Sequence, residues 1–118
     1  MSDDLRALED DLNQMILSGQ ALEAFDKHYA DDVVMQENNE PPRTGKEVNR
    51  KFEQEFFASI KEFHGARLGA VAVGDGVTFS EWTFDMTFQD GTRVANPQVT
   101  RRRWKDGKVV HERFYYNK

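Results

Sequence analysis

Glu37 is the residue through which this chain would do proton chemistry. It closes a short run, Val33 to Glu37, that reads as a strand, and it stands before a loop whose Pro41-Pro42 and Thr44-Gly45 lead into a helix. A carboxylate at a strand end beside a loop can enter the mouth of a cavity, where a general acid or base, or a group that orients a ligand, is useful. The plainer reading is a solvated carboxylate, since glutamate prefers the surface. On the final strand, alternation separates Val110, Glu112, Phe114 and Tyr116 from Val109, His111, Arg113 and Tyr115. Other chemistries find less support. His28, His64 and His111 are scattered and form no ligand spacing, so no metal is expected, and His28 reads as a residue of a helix surface. No glycine-rich phosphate loop follows a strand, and no serine sits in a strand-to-helix elbow. No cofactor is implied.

The elements that must position these residues fit one domain spanning 1–118, large enough to bury a core unaided. Cysteine is absent, which removes disulfides and thiolate chemistry and suits a reducing compartment. The acidic start, MSDDLRALEDD, does not read as a signal peptide, and no apolar run approaches membrane-spanning length. A soluble cytoplasmic protein with no membrane partner is the expectation. A net charge of -5 argues against nucleic acid as a partner, and Arg101, Arg102 and Arg103 cannot share one face of a strand. Nine Phe, three Tyr and two Trp suit a small core with an aromatic-lined cavity or interface.

Ser2 is expected to cap a first helix with Asp3 and Asp4 in its first turn, and Leu5, Leu8, Leu12 and Ile16 mark its apolar stripe up to a stop at Ser18-Gly19. A shorter helix follows, roughly Gln20 to Tyr29, and Asp31-Asp32 read as a turn. Thr44 and Glu47 have the spacing of a capping box for a long helix carrying Val48, Phe52, Phe56, Ile60 and Phe63, with Glu47 and Lys51 paired on its wet side. From Ala66 the period becomes two. Gly74-Asp75-Gly76, Asp90-Gly91 and Asp106-Gly107 separate about four antiparallel segments, and Pro97 marks a bulge or an edge. Helices first and strands after argue for an α+β layer structure, a curved antiparallel sheet around three helices in the first half of the chain.

Two stretches, Tyr29 to Gly45 and the closing WKDGKVVHERFYYN, resemble the nuclear-transport-factor-2-like superfamily, in its SnoaL-like and ketosteroid-isomerase-like branch. The resemblance implies a cone-like α+β barrel, a cavity between helices and concave sheet, a small-molecule ligand, and homodimers packed through the sheet. It places the isomerase-like general base on Glu37 and the tyrosine that ends the second helix on Tyr29. The oxyanion donors are not retained, because their positions fall near Asn13, Glu53 and Thr100, which makes a steroid isomerase a poor fit.

Family register makes the Glu112 face concave and turns Gln98, Thr100, Arg102 and Trp104 toward the cavity, where Arg102 and Glu112 can meet as a cross-strand, structural ion pair. In the segment Val77 to Gln89 either face can be concave. Register favours Asp85 and Thr87 inside, with Trp82, Phe84, Met86 and Phe88 sealing a dimer on the convex side. The expected binding set is Tyr29, Asp85, Thr100, Arg102, Trp104, Glu112, Phe114 and Tyr116, with Glu37 catalytic. Function is then proton transfer on a small, partly apolar organic molecule, as in isomerisation, cyclisation or dehydration. The alternative is a non-catalytic ligand-binding or dimerisation module of the same fold.

Overall fold

The computed structural model describes residues 4–117. Helix α1 (Leu5–Leu17) is capped by Asp4, whose carboxylate accepts a hydrogen bond from the Ala7 amide at 3.1 Å, so Asp4 lies outside the first turn; the expected cap, Ser2, is outside the described residues. The stop is where the sequence put it. Gly19 takes a φ of 79°, open to glycine without strain, and the Gln20 amide reaches back to the Met15 carbonyl at 2.8 Å. Helix α2 (Ala21–His28) gives way at once to β1 (Tyr29–Glu37), so Tyr29 is already extended and Asp31-Asp32 are exposed strand residues at an irregularity in the pairing, not a turn.

Strand β2 (Arg43–Thr44) pairs with β1 and hands the chain to α3 (Lys46–Ala58). The capping box does not form. Thr44 is committed to the ladder opposite Val34, and Gly45, at a φ of 106° that disfavours side chains, is the cap residue without any side-chain bond. The helix stops at Ala58, and Ile60 and Phe63, which continue its spacing in sequence, instead open β3 (Ile60–Val73) opposite Phe88 and Met86. Its buried side runs through Asn49, fully enclosed, while Val48 is 56% exposed. Glu47 pairs with Arg50, and Lys51 with Glu55.

Strands β4 (Val77–Phe88), β5 (Arg93–Lys105) and β6 (Lys108–Tyr116) follow through the three expected glycine turns. Together the strands form one curved, unclosed sheet in the order β2-β1-β6-β5-β4-β3. The α+β class and the three helices stand as read; the sheet is mixed, not wholly antiparallel, because β1 and β6 run parallel. Pro97 sits where β5 outruns β6, whose pairing begins at Gln98 with Tyr116, so the proline occupies a local edge, and the β4–β5 register passes it without a bulge.

Two details set which residues face the helices. The even-numbered residues of β4 do: Thr78 and Ser80 bond to Glu9 of α1, Trp82 is 1% exposed and stacks on Phe84 with centroids 5.1 Å apart, and Met86 is buried. The larger apolar face is covered by the helical layer of its own chain. This overturns the expectation that those aromatics seal a dimer on the far side with Asp85 and Thr87 inside: Asp85 points away from the helices. On β6, the register shifts between Arg103 and Trp104, so that Trp104 faces Val109 while Arg103 faces His111. Val110 is the extra residue of a bulge. Val109 thus joins the core with Leu12, Phe25, Tyr29, Val33, Met35 and Trp104, although simple alternation placed Val110 there.

Candidate functional site

Arg102, near the C-terminal end of β5, is enclosed by two carboxylates that come from opposite ends of the chain. Its Nε donates to Glu112 Oε2 at 2.7 Å, and its Nη1 donates to Glu9 Oε2 at 2.8 Å and to Asn13 Oδ1 at 2.9 Å. All four residues are buried. Asn13 Nδ2 donates to Ser80 Oγ at 2.9 Å, Thr78 Oγ1 to Glu9 Oε1 at 2.8 Å, Trp104 Nε1 to Thr78 Oγ1 at 2.8 Å, and the Ser80 hydroxyl to Glu9. The Tyr29 hydroxyl donates to the same Glu112 oxygen. Burial raises the pKa of Glu112, with Arg102 and the Tyr29 hydroxyl pulling the other way, and burial beside Glu112 raises that of Tyr29. The expected cross-strand pair is therefore present, inside a larger web that ties α1 to the sheet. Glu9 was not singled out in sequence, and Asn13 only as a position where an oxyanion donor is not retained; their signal is the spacing of four on the helix that also carries Leu5, Leu12 and Ile16.

A second cluster closes the end of β1. Glu37 Oε2 accepts from Arg43 Nη2 at 3.0 Å, and Glu37 Oε1 accepts from the Tyr116 hydroxyl at 3.3 Å. The Arg43 guanidinium lies 3.6 Å over the Phe52 ring and donates from Nε to Asn49 Oδ1 at 3.2 Å. Asn49 Nδ2 in turn serves the carbonyls of Val33, Arg43 and Gly45, so one amide fixes α3, β1 and β2 together. Burial, then the Glu37 carboxylate, pushes the Tyr116 hydroxyl up to about 12. It stays a donor at neutral pH.

Glu53 feels the charges of both clusters. It lies one helical turn beyond Asn49, on the sheet side of α3, and among the described residues it makes no hydrogen bond and no ion pair. Burial, followed by the charges of Glu112 and Glu37 and opposed by Arg43, raises its pKa to about 8. At neutral pH it carries its proton. The sequence offered a sign of this in Asn49 and Glu53, polar residues four apart next to Phe52 and Phe56, but the stripe was drawn through Val48.

Of the expected set, Tyr29, Arg102, Glu112, Glu37 and Tyr116 come together as described. Thr100 is buried opposite Phe114 and accepts from Gln98 Nε2 at 3.2 Å, Phe114 packs on the core, and Trp104 lies within it. Asp85 stands apart, paired with Arg93 at 2.9 Å on the other face of the sheet. His28 is buried, not on a helix surface; it meets Asp11 at 2.7 Å and the edge of Trp104 with centroids 6.0 Å apart. A depression of about 430 Å³ lies over β3, β4 and β5, lined by Arg67, Leu68, Glu81, Trp82, Thr83 and Pro97, three strands away from Glu37. Among the described residues no group of His, Asp and Glu is placed to hold a metal ion, and no helix is long and apolar enough to cross a membrane.

The chain belongs to the SnoaL-like domain family, whose model matches residues 11–112. No curated protein matches it. Among solved structures it is similar to a candidate SnoaL-like polyketide cyclase from Mesorhizobium loti, at 28% identity over 98% of this chain and 100% of that one, with a TM-score of 0.88. It also resembles a nuclear-transport-factor-2-like protein of unknown function from Burkholderia pseudomallei, with 14% identity, coverage of 99% and 92%, and a TM-score of 0.82. A protein with a ketosteroid-isomerase-like fold from Catenulispora acidiphila, in complex with trimethylamine, shares 16% identity over 87% of this chain and 80% of that one, with a TM-score of 0.73. The last two show the fold alone.

Proposed function

We propose that the helix-facing side of the sheet, between the Tyr29–Glu112 and Glu37–Tyr116 pairs, receives a small, partly apolar organic molecule, and that Glu37 moves a proton on it. Isomerisation, cyclisation and dehydration all need such a step. The observation that carries this reading is the setting of Glu37: a partly enclosed carboxylate on the helix side, with Arg43 on one oxygen and the Tyr116 hydroxyl on the other. Similar proteins named as candidate polyketide cyclases, and one holding trimethylamine, support a small-molecule ligand. A second reading, binding without turnover, is favoured by one feature: Tyr29, Arg102 and Glu112 are all bonded to one another or to α1, which leaves no pair of strong donors there for an oxyanion. The proposal extends to a cytoplasmic homodimer formed through the helix-free face of the sheet, where Phe79 and Tyr115 are exposed.

A thermal-shift screen of small organic molecules on the native protein and Glu37→Gln, followed by turnover assays on each hit, tests the choice. Product formed by the native protein and lost in Glu37→Gln, with binding kept, is the expected result. Stabilisation equal in both proteins, with no product from either, would leave only the binder.

A further inference from the structure

We propose that Glu62, His64 and Thr87 form a second site, on the helix-free face of the sheet, which hydrolyses small carboxylic esters through an acyl-threonine intermediate. It is independent of Glu37, which lies on the other face and toward the other end of the strand order. The three side chains stand in the order a hydroxyl nucleophile needs. Thr87 Oγ1 is 2.8 Å from His64 Nε2, and His64 Nδ1 is 3.3 Å from Glu62 Oε2. The Glu62 carboxylate favours the imidazole tautomer with its proton on Nδ1, so Nε2 offers its lone pair to the threonine hydroxyl.

The sheet itself assembles this group. The even-numbered residues of β4 face the helices, which turns Thr87 to the opposite side. There the register sets Glu62 of β3 and Arg93 of β5 on either flank of Thr87. Phe63 pairs with Met86 and Gly65 with Asp85, so His64 between them is the extra residue of a bulge, a device that re-aims a side chain. Its ring is turned to Thr87. Arg93 supplies a fourth part. Asp85 holds its Nε at 3.0 Å and its Nη2 at 2.9 Å, which fixes the guanidinium and leaves Nη1 without a partner among the described residues. A cation held beside the nucleophile stabilises the oxygen that becomes charged when a carbonyl is attacked. The His64 side chain is 21% exposed and that of Glu62 68%, so the group is open to solvent and suits a short ester with a good leaving group.

In the first half of the reaction the Thr87 oxygen bonds to the ester carbon, its proton passes to His64 Nε2, and the carbonyl π pair moves to oxygen. As that pair returns, the bond to the alcohol oxygen breaks and the alcohol leaves with the proton from His64. Water then adds to the acyl-threonine, giving a proton to His64. The Thr87 oxygen departs with that proton and the acid is released. One ester and one water yield one acid and one alcohol, with no other reactant.

Hydrolysis of p-nitrophenyl acetate tests this. The native protein should release p-nitrophenolate above the buffer rate, Thr87→Val and His64→Gln should be slowed by about 10², and Thr87→Ser, which keeps the hydroxyl, should retain turnover. Circular dichroism confirms that each variant is folded. Acid quenching of the native protein during turnover, followed by peptide mapping, is the second measurement, and it does not depend on any variant. It should find an acetyl group on Thr87. Hydrolysis at the buffer rate, hydrolysis that runs at the native rate in Thr87→Val, or acetyl found only on other residues would each overturn the inference.

Discussion

Arg102 neutralises two buried carboxylates at once, so its removal costs more than one lost ion pair. Arg102→Met should lower unfolding stability by roughly 3–5 kcal/mol, read from urea titrations, because Glu9 and Glu112 would stay buried without their cation. Glu53 acts in the opposite sense. It holds its proton more tightly in the folded protein, with a pKa of about 8 against 4.5. Its contribution to stability is full below pH 4.5 and is lost as pH rises toward about 8. Glu53→Gln should therefore gain on the native protein across that window, by roughly 2–4 kcal/mol at its upper end once screening of a partly exposed group is allowed for. Chemical denaturation at several pH values reads this, and a difference that does not grow with pH would refute it. The Arg102–Glu112 pair was legible only through the family resemblance, which set both residues on the concave face; the short turn alone would place Arg102 opposite His111, and the bulge at Val110 brings Glu112 there instead. Glu9 was not, because a helix stripe that mixes leucines with a carboxylate shows its buried polar half only once a strand is there to receive it.

At the level of elements, local pattern failed where two elements share one rhythm. Ile60 and Phe63 keep the helical spacing of Phe52 and Phe56, yet the chain turns at Ser59 and both residues pair across to β4. Thr44 and Glu47 have the spacing of a cap, and a two-residue strand claims Thr44 first. Turns with glycine were read correctly because the backbone there leaves few alternatives. Asn49 shows how much one side chain can join: Asn49→Ala would leave the carbonyls of Val33, Arg43 and Gly45 without its amide and free Arg43 from its anchor. A loss of about 2–4 kcal/mol is expected in the same urea titration. The bulge at Val110 lets Val109 and Glu112, three residues apart, face the same side of the sheet. Deleting Val110 forces one of them outward, and loss of the cooperative unfolding transition is the expected outcome.

For the whole molecule, the two faces of the sheet differ in charge. On the face away from the helices, Arg101 stands opposite Arg113 and Arg103 opposite His111, whose pKa is lowered by burial and then by those three arginines, in a chain of net charge -5. The same face exposes Phe79 and Tyr115, apolar surface that a second copy would cover. Sedimentation at micromolar concentration should give about twice the 13.7 kDa of one chain, and a mass of one chain would remove the dimer. The strand order carries another consequence. β6 lies between β1 and β5, and the bonds that close the interior join residues 83 positions apart at Tyr29–Glu112 and 93 apart at Arg102–Glu9. Contacts so distant cannot form one after another from a local start, so folding should be slow for the chain's size. A nascent chain that stopped before Lys108 would expose β1 and β5 as two unfilled edges with Arg102 facing Glu9 alone, and a protease should find it an open substrate, not a smaller copy of the fold.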